Sequence, residues 1–261
     1  MPKIHINNVE LHYEEYGTGG TPVVLVHGFL ASSNMWRDYF IPHLYGSHRV
    51  YALDMRGHGQ SSHVKQGCNV VQLADDVFQF VQEMQLENVI YIGMSMGGAV
   101  GIQFAINHPD CFGALIVMNT GFGSPLSKDS SLVTTLVGLM AKRRWLLRKF
   151  INKVFARPPR PEMIQDFLDD AVLVSKDTWI EYIHHSNKIA RYELLNNFNA
   201  PALILIGGKD TVSPFEQQND LVELIPHATR IILENEGHAM FLENPEAVFN
   251  EIALFLEKNS L

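Results

Sequence analysis

Residues 23–26, 50–53, 89–92, 114–118, 202–206 and 230–233 form six short runs dominated by apolar side chains. Most are separated by stretches with helical periodicity, at 71–84, 96–107, 215–225 and 245–257. A strand that is apolar on both sides must be covered on both sides. Such runs alternating with amphipathic helices therefore require a mostly parallel sheet between two layers of helix. Residues 4–6 and 10–16 flank the turn pair Asn7-Asn8 and read as an N-terminal hairpin, bringing the expected strand count to eight. With 46% hydrophobic residues among 261, the chain can fill one large core.

The alternation fails once. Between Gly121 and Asn199 only helical patterns occur, interrupted by Pro158-Pro159 and Pro161. A helical insertion between two strands is expected to form a lid over the C-terminal strand ends, where open α/β sheets bind ligands. The expected division is an α/β core from 1–120 and 200–261 with a helical lid from 121–199.

Gly93-Met94-Ser95-Met96-Gly97-Gly98 lies between the run at 89–92 and the helical stretch that follows. Glycines two residues either side of the serine permit a sharp strand-to-helix turn. That turn lifts the Ser95 hydroxyl out of the sheet and sets it at a helix N-terminus, where unpaired N–H groups favour a developing oxyanion. A hydroxyl ionises too poorly at neutral pH to attack unaided. A histidine must take its proton and a carboxylate must orient that histidine.

Asp210 follows the run at 202–206 and His238 follows the run at 230–233, in the order serine, acid, histidine. Each has a plainer reading, Asp210 as a helix cap before Ser213-Pro214 and His238 as an ordinary loop histidine. Their joint placement at the same sheet edge as Ser95 makes them the expected partners. Two backbone amides are expected to form the oxyanion hole, from Met96 after the serine and from Phe29 in His27-Gly28-Phe29. His27 itself reads as a loop brace. This chemistry needs no cofactor.

Composition narrows the classes further. A formal net charge of −8 gives no reason to expect nucleic-acid binding. Cys68 and Cys111 are far apart and read as unpaired thiols of a reducing compartment. Twelve histidines form no compact ligand pattern, so no metal is expected. The N-terminus has no signal-like apolar run and no stretch is long enough to span a bilayer, so a cytoplasmic protein without an integral membrane segment is expected.

His27-Gly28-Phe29, Asp54-Met55-Arg56-Gly57-His58-Gly59-Gln60-Ser61, the segment from Gly93 to Gly98, Gly208-Lys209-Asp210 and Gly237-His238 together resemble, in order and spacing, the α/β-hydrolase fold family. The likeness is to its lid-bearing esterases, lactonases and C–C hydrolases. It implies that Asp54 and Arg56 belong to a structural turn. Serine rather than aspartate at the elbow departs from the dehalogenase and epoxide-hydrolase branches. Asn119 ends the sixth strand, where some relatives carry the acid, which leaves Asp210. Met94 and Ala239 depart from the Asn and Trp usual in the C–C hydrolases.

The expected function is hydrolysis of an ester, lactone or thioester through an acyl-enzyme on Ser95. The alternatives are a C–C bond hydrolase of vinylogous diketones and a hydrolase-like ligand receptor. In the lid, 125–160 holds Lys128, Lys142, Arg143, Arg144, Arg148, Lys149, Lys153, Arg157 and Arg160 against the single acid Asp129. The stretch after it is acidic. Within 143–157, Trp145, Leu146, Phe150, Val154 and Phe155 fall near one helical face, expected to pack over the pocket. The plain reading of the basic residues is a solvated face. The sharper one is attraction of a small acyl substrate, hydrophobic or carried on an anionic group.

Overall fold

The apolar runs pair into one sheet in the computed structural model, which describes residues 2–121, 143–185, 189, 192–213 and 215–261. The strands are β1 (Lys3–Ile6), β2 (Val9–Tyr16), β3 (Pro22–Val26), β4 (Arg49–Leu53), β5 (Val89–Met94), β6 (Phe112–Met118), β7 (Ala202–Gly207) and β8 (Thr229–Leu233). Their order in the sheet is β1-β2-β4-β3-β5-β6-β7-β8. The hairpin strand β2 runs antiparallel to β4, and every later pairing is parallel. After β3 the chain crosses to β4 on one side, then to β5 on the other. That reversal is where open α/β sheets bind ligands, outside the C-terminal strand ends.

Alternating side chains of β3 feed two cores. Val23 and Leu25 belong to one apolar cluster, Val24 and Val26 to the other. Helices α3 (Val70–Glu83) and α4 (Met96–Asn107) cover the second cluster through Leu73, Val77, Phe80, Val100 and Phe104. Asn69 starts α3 by accepting the Gln72 N–H. The short helices α1 (Asn34–Arg37) and α2 (Ile41–Leu44) join the first cluster through Trp36 and Ile41.

Between β6 and β7 the described residues form α5 (Arg144–Asn152), α6 (Pro161–Leu173), α7 (Lys176–His185) and a 3-10 turn (Tyr192–Asn197), with no strand. Lys128, Asp129 and Lys142 lie outside the described residues. The chain closes with α8 (Phe215–Leu224), α9 (Met240–Glu243) and α10 (Pro245–Lys258). No described helix is long and apolar enough to cross a membrane.

One expectation is corrected here. The buried stripe of α5 is Leu147 and Ile151, four residues apart, while Trp145 is 58% exposed beneath the Lys149 ammonium. The helix also stops at Asn152, so Val154 and Phe155 are buried from a non-helical segment rather than from a continued helical face. Packing into the first apolar cluster overrides the helical period there.

Candidate active site

At the end of β5, Ser95 adopts φ 52° and ψ −112°, a left-handed conformation costly for any side-chain-bearing residue. The surroundings force this turn. A Cβ on Gly93 would run into the Gly97 carbonyl, and one on Gly97 would run into the Val26 carbonyl. Only glycines let α4 start so close to β3 and β5. Tyr91, buried below, donates its hydroxyl to the Gly97 carbonyl at 2.5 Å and fixes the first turn.

The β3 loop meets this turn from the side. Val26 pairs with Gly93, and a Cβ on Gly28 would stand 3.7 Å from Ser95 Cβ. Neither the Phe29 nor the Met96 amide donates to a protein acceptor among the described residues. His27 braces the loop as expected. Its Nε2 accepts the Met55 N–H at 3.0 Å, so Nδ1 carries the proton and donates to the Gly28 carbonyl at 2.8 Å. Burial lowers the pKa of His27 and takes that of His58 down to about 3. The Phe29 ring stacks on Tyr182 at 4.4 Å and meets Trp179 and His58 edge-on.

Asp210 and His238 come together from the ends of β7 and β8. His238 Nδ1 lies 2.8 Å from Asp210 Oδ2, with both side chains buried. The cap reading of Asp210 is not met: its Oδ1 accepts the Val212 and Ser213 N–H groups of its own turn, and the helix begins only at Phe215. One oxygen of the carboxylate thus fixes its own turn while the other faces His238. Gln218 adds a third hold, donating to Asp210 Oδ2 at 3.3 Å.

Asn119 was legible only as the absence of an acid; its structural part was not. Its Oδ1 accepts the Gly207 N–H, and its Nδ2 donates to the Gly237 and His238 carbonyls at 2.8 and 2.7 Å. The preceding Met118 carbonyl accepts the Ser95 N–H at 2.9 Å. Ser95 and His238 thus flank the same two residues at the end of β6. No hydrogen bond joins the Ser95 hydroxyl to the imidazole among the described residues.

The sequence profile of the alpha/beta hydrolase fold matches residues 21–163 and 166–245. The chain belongs to the α/β-hydrolase family. It is 29% identical to the AB hydrolase superfamily protein YisY of Bacillus subtilis, over 95% of this chain and 96% of that one. It is 25% identical to 3-oxoadipate enol-lactonase 2 of Acinetobacter baylyi, over 99% of both. Among solved structures it resembles an esterase of Exiguobacterium antarcticum, with TM-score 0.86, 25% identity and 98% of each chain covered.

As the family resemblance implied for this hydrolase, Asp54 and Arg56 are scaffold. Asp54 accepts the Ser33 and Gln60 N–H groups and faces His12 Nδ1. Burial works against its charge, yet these hydrogen bonds and nearby His27 hold its pKa at about 2. Arg56 pairs with buried Asp76, whose carboxyl is raised by burial.

Proposed function

We propose that this α/β-hydrolase cleaves carboxylic ester-like bonds, in an ester, lactone or thioester, through an acyl-enzyme on Ser95. The observation that carries this reading is the His238–Asp210 pair, 2.8 Å apart at the sheet edge where Ser95 turns outward. With Nδ1 donating to Asp210, Nε2 of His238 is left with the lone pair that a general base needs. His238 takes the Ser95 proton as the hydroxyl oxygen attacks the carbonyl carbon. The Phe29 and Met96 amides stabilise the oxyanion. The tetrahedral intermediate collapses, and the alcohol or thiol leaves with the proton from His238. Water, deprotonated by His238, then attacks the acyl carbon and frees Ser95 with its proton restored.

The segment 121–199 serves in this reading as a lid. Trp179 and Tyr182 of α7 close on the Phe29 ring, which supports an aromatic wall for a hydrophobic acyl group. Arg143, Arg148, Lys149 and Lys153 are exposed and form no ion pair with a described residue. They support an acyl group delivered on an anionic carrier. Similarity to an esterase and an enol-lactonase points to the same class of bond.

The test is a panel of acyl esters, lactones and coenzyme-A thioesters of graded chain length, with a vinylogous diketone and a fluorophosphonate probe. Turnover well beyond one equivalent per chain, with the probe on Ser95, is expected. Turnover of the diketone alone would overturn the ester reading. Ligand binding without turnover of any substrate would overturn the enzyme reading.

A further inference from the structure

The histidine loop is held from two directions, and one of them is the β6–β7 insertion. Asn119 takes the carbonyls of Gly237 and His238 from the sheet side. The amides on either side of His238 are taken elsewhere. Ala239 N donates to the Val154 carbonyl at 3.2 Å. Gly237 N donates to the Glu243 carboxylate at 3.1 and 3.2 Å, and Glu243 Oε1 also accepts the Ala156 N–H at 3.1 Å.

The same insertion segment reaches further. Arg157 donates to buried Glu236, two residues before His238, at 3.0 Å, and Glu236 also accepts from Asn244. Thr211, beside Asp210, donates its hydroxyl to the Lys153 carbonyl at 3.2 Å. The fit is close: a Cβ on Gly237 would stand 2.6 Å from Ala156 N and 2.7 Å from Glu243 Oε1. Residues 153–157 therefore touch the loops of both Asp210 and His238, and the Glu243 carboxylate joins them to the amide preceding His238.

We infer that Glu243 is a positioning residue for the proposed base, and that residues 153–157 of the insertion form part of the support that holds His238 in register with Asp210. The inference rests on the Ser95 hydrolase reading. Its physical basis is that an imidazole displaced by about 1 Å can cost on the order of 100-fold in rate, because proton transfer needs aligned groups. A Glu243→Ala protein leaves the Gly237 and Ala156 amides without their acceptor and frees the loop. Glu243→Gln keeps one acceptor oxygen and the side-chain volume.

The experiment compares wild type, Glu243→Ala, Glu243→Gln and Arg157→Ala at a temperature where each is shown folded by melting curves. It measures kcat and KM on a small neutral ester and the rate of fluorophosphonate attachment to Ser95. Glu243→Ala is expected to lose about 10- to 100-fold in kcat and in labelling rate with KM nearly unchanged. Glu243→Gln should recover part of that loss, and Arg157→Ala should show a smaller loss of the same kind. A folded Glu243→Ala protein with wild-type kcat and labelling rate overturns the inference. So does a Glu243→Gln protein that is folded yet no better than the alanine variant, because graded rescue is the mark of positioning. Failure of the wild type itself to label at Ser95 would instead overturn the hydrolase reading beneath it.

Discussion

His12 and Asp54 meet at 2.8 Å, as do His238 and Asp210, and all four side chains are buried. The first pair joins antiparallel β2 to the turn after β4. Its Asp54 is filled by the Ser33 and Gln60 amides, and His12 Nε2 has no hydrogen-bond partner among the described residues. The second pair stands at the edge where the parallel strands end, next to the residues that also hold Ser95. The same two functional groups at the same distance thus make a structural bracket in one place and a candidate base in the other. What separates them is the setting: the Ser61 hydroxyl beside the first pair is spent on the Asp54 carbonyl, whereas the second stands beside the strained turn of Ser95.

The largest effect expected on the second pair is through its nucleophile. Ser95→Ala should abolish ester turnover in a folded protein, a loss on the order of 10⁶ in turnover. Steady-state assays on purified, folded variant check this, and near-wild-type turnover would remove the triad altogether.

Substituting the two aspartates then separates the pairs. Asp210→Asn should lower turnover by roughly 10²–10⁴ because His238 loses its orienting anion. Asp54→Asn should instead cost about 3–5 kcal/mol of stability, since an amide cannot serve all the donors that converge there. Its activity per folded molecule should stay close to wild type. Denaturant titration alongside kinetics distinguishes the outcomes. A stable Asp54→Asn protein with lost turnover would break the contrast.

A third carboxylate tests burial without a histidine. Asp170 of α6 accepts from Ser32 and Asn34, and burial pushes its pKa up to about 6 despite those hydrogen bonds. A carboxyl raised this way favours the fold while neutral. That contribution is complete below the unfolded value of about 4, is lost as pH rises through 6, and amounts to at most roughly 3 kcal/mol. Asp170→Asn removes the charge, so its melting temperature should gain on wild type as pH rises from 5 to 8. A gap that does not change with pH would show that Asp170 titrates elsewhere.

The smallest effect is expected at the exposed face of α5. Converting Arg148 and Lys149 to Gln should lower kcat/KM for a coenzyme-A thioester by about 3- to 10-fold at low salt, and leave a neutral ester of the same acyl group unaffected. Arg144 is left out because it already pairs with Asp169. Equal effects on both substrates, or no salt dependence in the wild type, would reduce this face to solvated charge.

Much of the architecture was decided by short-range rules that the sequence carries alone. Apolar runs of strand length, helical periodicity between them and the Asn7-Asn8 turn specify eight strands and most of the helices between them, because backbone sterics and side-chain period act within a few residues. The elbow at Ser95 is equally local, since glycines at 93 and 97 are what so tight a turn permits. Asp210 and His238 could be read because chain order and strand ends locate them. What only the tertiary structure decided are contacts between residues far apart in the chain. Asn119 grips a loop more than a hundred residues later, and Glu243 joins that loop to Ala156. His12 and Asp54 pair across 42 residues of chain, and α5 stops at Asn152 so that the next residues can lie against the His238 loop. No period or motif encodes these. They depend on which polar groups packing buries together, and a buried donor or acceptor must find its partner wherever the fold brings one.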